Sequence, residues 1–410
     1  MVGGIIVLII TGIAAFALAG FLKRKFPLID AAFLKKLFFY HVLVSLAYYL
    51  YVLFNPSDSK AYYNSAFLTD DWLSLYGTST TFIKFAAYPF IRYLFFSYEA
   101  TMALFAFFGY LGFVFFYLLF KERIKFRHTF LGVDLLILIF LLPNLHFWSG
   151  SLGKGSAIFL GFGLYFFGIS KPNSRWLAVL IGGWLVYHVR PHIMLVVLVS
   201  TVLGFVFSTR GLSNAVKFVF LAGGVIAFFF IYQDVLLMVG VGEDELLTEG
   251  FDLSHRAREL SKATSGVDIS GYSLPMQLFT FIYRPLFFDA PGMLGMTVSV
   301  ENVFYLLITL KLFNWNAIRF LFQSSFLTKT ALTSFICVSI ALAQIAGNLG
   351  LAIRQKSQVM ILFMFVILAF LDQQKYLTWR RQNTERIRRQ RLKEVLEANQ
   401  EMAAKKSSLQ

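Results

Sequence analysis

Apolar residues of this chain are gathered into long runs separated by polar loops, without the strict alternation typical of barrel strands. A helix needs about 20 residues to cross a hydrocarbon core of about 30 Å. Runs of roughly this length predict membrane-spanning helices near 2–22, 37–54, 100–120, 129–145, 157–170, 176–189, 193–208, 218–239, 298–313, 330–346 and 357–371. The pattern therefore predicts an all-α, polytopic helical membrane protein of about 11 spans.

The composition favours the same class of protein. The 410 residues are 58% hydrophobic and only 14% charged, whereas soluble domains carry about 25% charged residues. No basic region precedes the first run, and Lys23-Arg24-Lys25 follow it, so we expect a retained span rather than a signal peptide. The single cysteine, Cys337, excludes a disulfide framework or a cysteine-based metal site.

The net charge of +15 is distributed unevenly between the loops. If the N-terminus is placed outside, most Lys and Arg residues fall on the inner side and most acidic residues on the outer side. Cytoplasmic loops of membrane proteins carry this excess of basic residues. The sequence thus predicts an outside N-terminus and a cytoplasmic C-terminus in a bacterial cytoplasmic (inner) membrane. The charge does not indicate a nucleic-acid partner.

The predicted spans divide the chain into a transmembrane domain, 1–371, and a basic helical tail, 372–410. Two long loops, 55–99 and 240–297, are expected on the outer face. Within them, 82–98 and 274–289 are apolar but contain charges and prolines, so we expect interfacial or re-entrant segments. The tail is expected either to rest on anionic lipid headgroups or to dock a cytoplasmic partner.

Motifs of soluble enzymes are missing from the sequence, including a phosphate-binding glycine loop, a nucleophile elbow and a zinc pattern. His188 and His192 stand four residues apart but lack a third ligand, and the acidic run Glu243-Asp244-Glu245 is typical of a solvated loop. We therefore expect neither a metal site nor a cofactor.

Several cations fall on the predicted outer face, where the positive-inside bias disfavours them. They are Lys154, Arg190, Arg284 and Arg354. Each one either snorkels to the interface or pairs with a carboxylate, or the set binds a phosphate or diphosphate, because guanidinium groups hold phosphate oxygens in bidentate fashion. Candidate bases on the same face are Asp58, Asp70, Asp71, His146, His192 and Asp289. Of these, Asp58, His146 and His192 are the catalytic candidates.

Nucleotide sugars are cytoplasmic, so an enzyme acting at the outer face would use a sugar linked to a lipid diphosphate. Transfer with inversion needs cations that stabilise the departing diphosphate and a base that takes the proton of the acceptor hydroxyl. The cations and the candidate bases above supply both kinds of group.

Four segments resemble bacterial O-antigen and exopolysaccharide polymerases. They are Asp58 with Tyr62-Tyr63, Arg190-Pro191-His192, Tyr283-Arg284-Pro285 with Glu301-Asn302, and the Asn348 to Arg354 turn. The resemblance implies a GT-C type fold, an undecaprenyl-diphosphate-linked oligosaccharide as substrate, and diphosphate-handling roles for Arg190, Arg284 and Arg354. It also implies membrane lipids and polysaccharide chain-length or export proteins as partners. The modest size of the loop 240–297, and its position before the last three spans, depart from the family and leave the base undecided.

Three other readings stay open. A single-sugar GT-C transferase would use an Asp of the first outer loop as metal ligand or base, and metal dependence would distinguish it. A transporter or flippase would carry internal repeats and charges at mid-membrane, where this chain has few. A non-catalytic scaffold of an envelope complex would tolerate replacement of the arginines.

Overall fold

The computed structural model describes residues 2–208, 218, 221–226, 266–267, 269, 271–290, 292–344 and 347–407. Its helices are α1 (Val2–Lys25), α2 (Ala31–Phe54), α3 (Asp58–Leu68), α4 (Thr80–Tyr88), α5 (Tyr98–Arg123), α6 (Leu135–Phe140), α7 (Pro143–Ser149), α8 (Lys154–Ile169), α9 (Pro172–Val189), α10 (Pro191–Val206), α11 (Leu274–Tyr283), α12 (Gly292–Thr309), α13 (Trp315–Gln323), α14 (Phe326–Ala343) and α15 (Leu349–Ser407). A two-stranded hairpin, β1 (Thr129–Phe130) and β2 (Val133–Asp134), precedes α6.

Six of these helices, α1, α2, α5, α12, α14 and α15, are long and apolar enough to cross a membrane. The α6–α7 segment and helices α8, α10 and α11 are apolar but shorter. The chain is therefore an all-α protein with several apolar helices, as expected of a multi-pass membrane protein. The predicted span 218–239 and the acidic run 243–245 lie wholly or mostly outside the described residues, as does most of the loop 240–297.

The span predicted over 129–145 does not form as one helix. The chain turns through the hairpin, and Asp134 then caps α6 by accepting the N–H groups of Leu136 and Ile137. Helix α6 ends after six residues, and Pro143 begins α7, where its missing N–H costs nothing. The prediction of one span was wrong because it counted apolar residues and did not consider Asp134 and Pro143 as signals that start new helices.

Helix α5 lies at the centre of the fold and packs closely against α8. A Cβ added at Gly112 would lie 2.7 Å from the ring of Phe159, and one added at Gly163 would lie 2.7 Å from the carbonyl oxygen of Gly112. Helices α8 and α9 approach in the same way through Gly161 and Gly182. Small residues at these contacts let the backbones come together, which is the usual way that helices pack in membranes.

Helix α15 is unbroken over 59 residues. Its first part, from Ala352 to Leu368, is largely buried among the other helices, and residues 377–399 are exposed. Asp372 attaches the helix to the segment after α5 near the end of its buried part. Its carboxylate accepts the backbone N–H groups of Lys125 and Phe126 at 3.0 and 2.7 Å. The segment predicted as a basic tail thus continues the last apolar helix without a turn.

Candidate functional site

Lys154, Arg190 and Arg354 come together with Asp58 and Tyr62 in one place, which we call the cation cluster. Each of these residues lies at or near the start of a helix. Asp58 and Tyr62 belong to α3, Lys154 begins α8, Arg190 immediately precedes α10, and Arg354 lies in the second turn of α15. The N-terminal ends of four helices that are far apart in sequence therefore place polar residues at a common site.

Arg354 and Asp58 form an ion pair, with Nη1 donating to Oδ2 at 2.8 Å. The guanidinium of Arg354 also lies over the indole ring of Trp148, 5.7 Å from its centroid. Asp58 is the more exposed partner, with 56% of its side chain accessible against 25% for Arg354. More than half of the Asp58 side chain therefore stays accessible although it is paired with Arg354.

Arg190 is the most buried cation of the cluster, with 8% exposure. Its backbone is fixed by the two helices that it joins. Its N–H donates to the carbonyl oxygen of Val186, and its own carbonyl oxygen accepts the N–H of Met194. In the described part of the chain, no carboxylate lies within 4.0 Å of its guanidinium. Burial and the positive charge of Arg354 together lower the pKa of Arg190 to about 10, so it stays charged at neutral pH.

Lys154 donates from Nζ to the hydroxyl of Ser79 at 2.8 Å. It lies close enough to Arg190 and Arg354 to be repelled by both, and close enough to Asp58 to be attracted. Three cations thus share one carboxylate among the residues that the structure describes. Such an excess of buried positive charge is costly unless an anion completes it.

Tyr62 contributes a neutral hydroxyl to the cluster. It is 4% exposed, and its ring packs near Gly153, at 3.7 Å from the position of an added Cβ. Burial, with a smaller contribution from the charge of Asp58, raises the pKa of Tyr62. Its hydroxyl therefore stays protonated and can donate a hydrogen bond to an anion in the cluster.

Two helices, α4 and α8, begin at the cluster without a side-chain cap. Helix α10 also begins there, but its first residue is Pro191, which has no N–H. Free N–H groups at a helix N-terminus carry partial positive charge and favour anions. Ser79, the residue before α4, adopts a φ of 63° and a ψ of −118°, an unusual backbone conformation for a residue with a side chain. Its N–H donates to the carbonyl oxygen of His188 at 2.6 Å, which holds the start of α4 beside Arg190.

Arg284, which was grouped with Arg190 and Arg354 on the basis of sequence, lies in a different set of contacts. Its Nε donates to Oδ2 of Asp289 at 2.5 Å, and hydrogen bonding and charge from Asp289 raise the pKa of Arg284 despite its partial burial. The pair closes the turn between α11 and α12. Arg284 is thus positioned as the partner of a local carboxylate.

His146, one of the two histidines predicted as catalytic candidates, lies in a separate buried environment. His146 is fully buried, with its Nδ1 2.9 Å from Nδ1 of His41 and its ring stacked on Phe113. Its Nε2 lies 2.8 Å from the carbonyl oxygen of Phe140. His192 is half-buried in the first turn of α10, two residues after Arg190. Among the predicted bases, Asp58 forms an ion pair with a cation of the cluster.

Sequence reasoning did not identify Lys356 as a site residue. It is completely buried, and its Nζ donates to Oδ1 of Asn302 at 2.6 Å and to the carbonyl oxygens of Ile282 and Arg284. Glu301, also buried, accepts the N–H of Asn144 at 2.6 Å. These contacts, which we call the Lys356 network, tie α11 and α12 to α15 two residues beyond Arg354. The polar run Arg354-Gln355-Lys356-Ser357-Gln358 at the start of an apolar helix was the available signal.

Across the described ranges, no three His, Cys, Asp or Glu residues stand together as ligands for a metal ion. The three cations of the cluster offer the chemistry of an anion site. It can hold phosphate oxygens with two guanidinium groups, one ammonium group and a tyrosine hydroxyl, and it keeps one half-exposed carboxylate within the same site.

Fold and site together define a polytopic helical membrane protein with a buried cationic site where several helices begin. Comparison of the chain with protein-family models, with curated proteins and with solved structures found no match. The function proposed below rests on the geometry of the site and on the sequence resemblance described above.

Proposed function

We propose that this protein transfers or polymerises sugars carried on undecaprenyl diphosphate, at the extracytoplasmic face of a bacterial cytoplasmic membrane, during surface polysaccharide synthesis. The observation that carries the proposal is the meeting of Lys154, Arg190 and Arg354 around Asp58, the one carboxylate that the described residues place there. The proposal includes the N-outside topology of about 11 spans and a GT-C-like arrangement.

The cluster suits a diphosphate better than a single carboxylate ligand. A diphosphate carries several negative charges and oxygens on two phosphorus atoms, and the three cations of the cluster supply separated donors. Arg190 has no acidic partner among the described residues, so an incoming phosphate would relieve the cost of its burial. Charge-assisted hydrogen bonds of this kind are about twice as strong as neutral ones.

In the proposed reaction, the hydroxyl oxygen of an acceptor sugar attacks the anomeric carbon of the donor sugar. A bond forms between these two atoms, and the bond from the anomeric carbon to the diphosphate oxygen breaks, leaving its electron pair on the diphosphate. Lys154, Arg190 and Arg354 stabilise that developing charge. Asp58 takes the hydroxyl proton, while the ion pair with Arg354 keeps the carboxylate in place.

Single replacement of Arg190, Arg354 and Lys154 by Ala in the native host tests this proposal. Arg92 offers a matched control, since it pairs with Asp70 at 2.7 Å in the same loop that holds α3 and α4. We expect the three cluster variants to lose long surface polysaccharide at unchanged membrane level, and Arg92→Ala to keep it. Normal polysaccharide in all three, with stable protein, would exclude the glycan function and favour a transporter, a flippase or a scaffold of an envelope complex.

A further inference from the structure

An apolar crevice with a cavity volume of about 190 Å³ lies between α1, α2 and α5. The space exists because small residues of the three helices face it, among them Gly4, Ser45, Ala103 and Ala106. The remaining wall is aliphatic apart from Tyr49 and Glu99, whose hydroxyl and carboxylate oxygens lie 3.4 Å apart. Apart from this pair and the hydroxyl of Ser45, little in the wall can bind a polar ligand.

Helix α1 forms the outer wall of the crevice and is itself in position to contact lipid. Ile6, Ile9 and Ile13 are 51%, 59% and 66% exposed on its outward side. The helix is held close to α5 at one end, where a Cβ added at Gly4 would lie 2.9 Å from Cβ of Glu99. The crevice is therefore an open recess behind a lipid-facing helix rather than a sealed cavity.

The segment 148–154 separates the crevice from the cation cluster. Gly150 lines the crevice, and Met102, which also lines it, accepts the N–H of Leu152 through its sulfur at 3.3 Å. Trp148 and Lys154, at the two ends of the same segment, belong to the surroundings of Arg354 and Arg190. One short stretch of chain thus has hydrocarbon-like space on one side and cations on the other.

Helix α2 also contacts the crevice with one residue and the surroundings of Arg354 with the next. Tyr49 lines the crevice, while the ring of its neighbour Tyr48 packs against Trp148, with the ring centroids 5.9 Å apart. Tyr48 also contributes to the electrostatic surroundings of Arg354. The crevice and the cation cluster are therefore neighbours, and both contact α2 and the segment 148–154.

We infer that this crevice seats the polyprenyl chain of the lipid whose diphosphate is bound by the cation cluster. The inference rests on the proposed function and adds the binding site for the lipid part of the substrate. An apolar recess open to the bilayer holds hydrocarbon, since water inside it would find almost no partners. The adjoining cations select a chain that carries a phosphate head.

Filling the crevice tests the inference. Ala103→Phe and Ala106→Phe place a ring in the recess, and Ile9→Phe adds the same group on the exposed side of α1 as a matched control. Binding of undecaprenyl diphosphate and of inorganic diphosphate is measured with the full chain in phosphatidylcholine nanodiscs. We expect the two crevice variants to raise the Kd for undecaprenyl diphosphate at least tenfold and to change the Kd for inorganic diphosphate less than twofold. The control variant should bind both probes like the wild type.

Photocrosslinking of the unmodified protein provides a second measurement that does not depend on the folding of a variant. An undecaprenyl diphosphate analogue with a diazirine on its chain should label peptides of α1, α2 or α5, and unlabelled undecaprenyl diphosphate should compete. Labelling confined to other helices would overturn the inference. So would equal labelling by a diazirine phospholipid that undecaprenyl diphosphate does not displace, because the crevice would then hold bulk lipid.

The outcomes separate the two proposals. Equal affinity of the wild type and the crevice variants for undecaprenyl diphosphate, with retained dependence on Arg190, would refute the lipid-chain site and leave the proposed function intact. Failure of the wild type to bind either diphosphate would remove the proposed function and the crevice inference together.

Discussion

Arg354 and Asp58 stand 296 positions apart in the chain and meet at 2.8 Å. This ion pair joins the beginning of α15 to the beginning of α3, and thereby brings the last apolar helix against the first long loop. Arg354 also lies close to the positive charges of Arg190 and Lys154. The pair is therefore the structural centre of the cation cluster, and removing either partner changes the charge that an incoming anion meets.

Replacement of Arg190 should weaken anion binding in a graded way. Arg190→Ala removes both the charge and the planar fork, so we expect the Kd for inorganic diphosphate to rise at least about tenfold, equivalent to about 1.4 kcal/mol. Arg190→Lys keeps the charge but loses bidentate contacts, so its Kd should lie between those of the wild type and the Ala variant. Calorimetry on nanodiscs measures both, with Arg92→Ala as the control. Equal binding by all four proteins would contradict a role for Arg190.

Replacement of Asp58 should lower the rate of sugar transfer without weakening the binding of diphosphate. Asp58→Asn removes the proposed proton acceptor, and loss of a general base lowers rates by about 10²- to 10⁴-fold. The Kd for inorganic diphosphate should stay the same or fall, because the variant removes a negative charge from the site. Asp70→Asn is the matched control, since Asp70 also pairs with an arginine in the same loop.

Transfer from an undecaprenyl-diphosphate-linked sugar in proteoliposomes gives the rate. A turnover of Asp58→Asn within threefold of the wild type would exclude Asp58 as the base and direct attention to His192.

Loss of the buried ammonium group of Lys356 should destabilise the fold. Lys356→Met leaves the carbonyl oxygens of Ile282 and Arg284 and the side chain of Asn302 without a donor, at a cost of about 1–3 kcal/mol or more. We expect a lower midpoint in thermal unfolding followed by tryptophan fluorescence. Lys36→Met, at an exposed position of α2, should unfold like the wild type. An unchanged midpoint for Lys356→Met would show that the network does not hold α11 and α12 to α15.

A side chain added at Gly112 should lower the stability of the protein, because α5 and α8 are in close contact there. Gly112→Val places atoms where Phe159 and its backbone already lie, at 2.7 to 2.9 Å from the added Cβ, and overpacking of this kind costs about 1–3 kcal/mol. Gly20→Ala in α1 is the control, because nothing lies within 4 Å of its added Cβ and alanine favours a helix. Thermal unfolding in detergent compares them, and equal midpoints would contradict the close packing described here.

Part of the site was predictable from local sequence signals. Arg190 stood out because a cation followed by proline marks a tight junction between two apolar runs, and the structure indeed shows it between α9 and α10. Arg284 has the same local signature, Arg-Pro after an apolar run, but pairs with Asp289. The two cases differ only in whether a carboxylate folds back onto the guanidinium, and the hydropathy of the segments does not specify this.

For the fold, too, features that depend on neighbouring residues were predictable, whereas contacts between distant residues were not. The spans predicted at 2–22, 37–54 and 100–120 overlap α1, α2 and α5, but α2 begins earlier, at Ala31, where Asp30 caps it. The break of 129–145 depended on a hairpin with Asp134 as a helix cap and on Pro143, which the length of the run concealed. Lys356 and Asn302 meet across 54 positions, and only the packing of α12 against α15 determines that contact.

Helix α15 gives the cation cluster a connection to the far end of the molecule. Its 59 residues rise about 1.5 Å each without a break, so the rod is about 88 Å long. Arg354 sits in its second turn, and the exposed basic residues from Arg380 to Lys393 belong to the same helix. No loop lies between them that could absorb a rotation or axial shift at Arg354. A probe attached near Arg388 would therefore test whether anion binding at Arg354 displaces the tail.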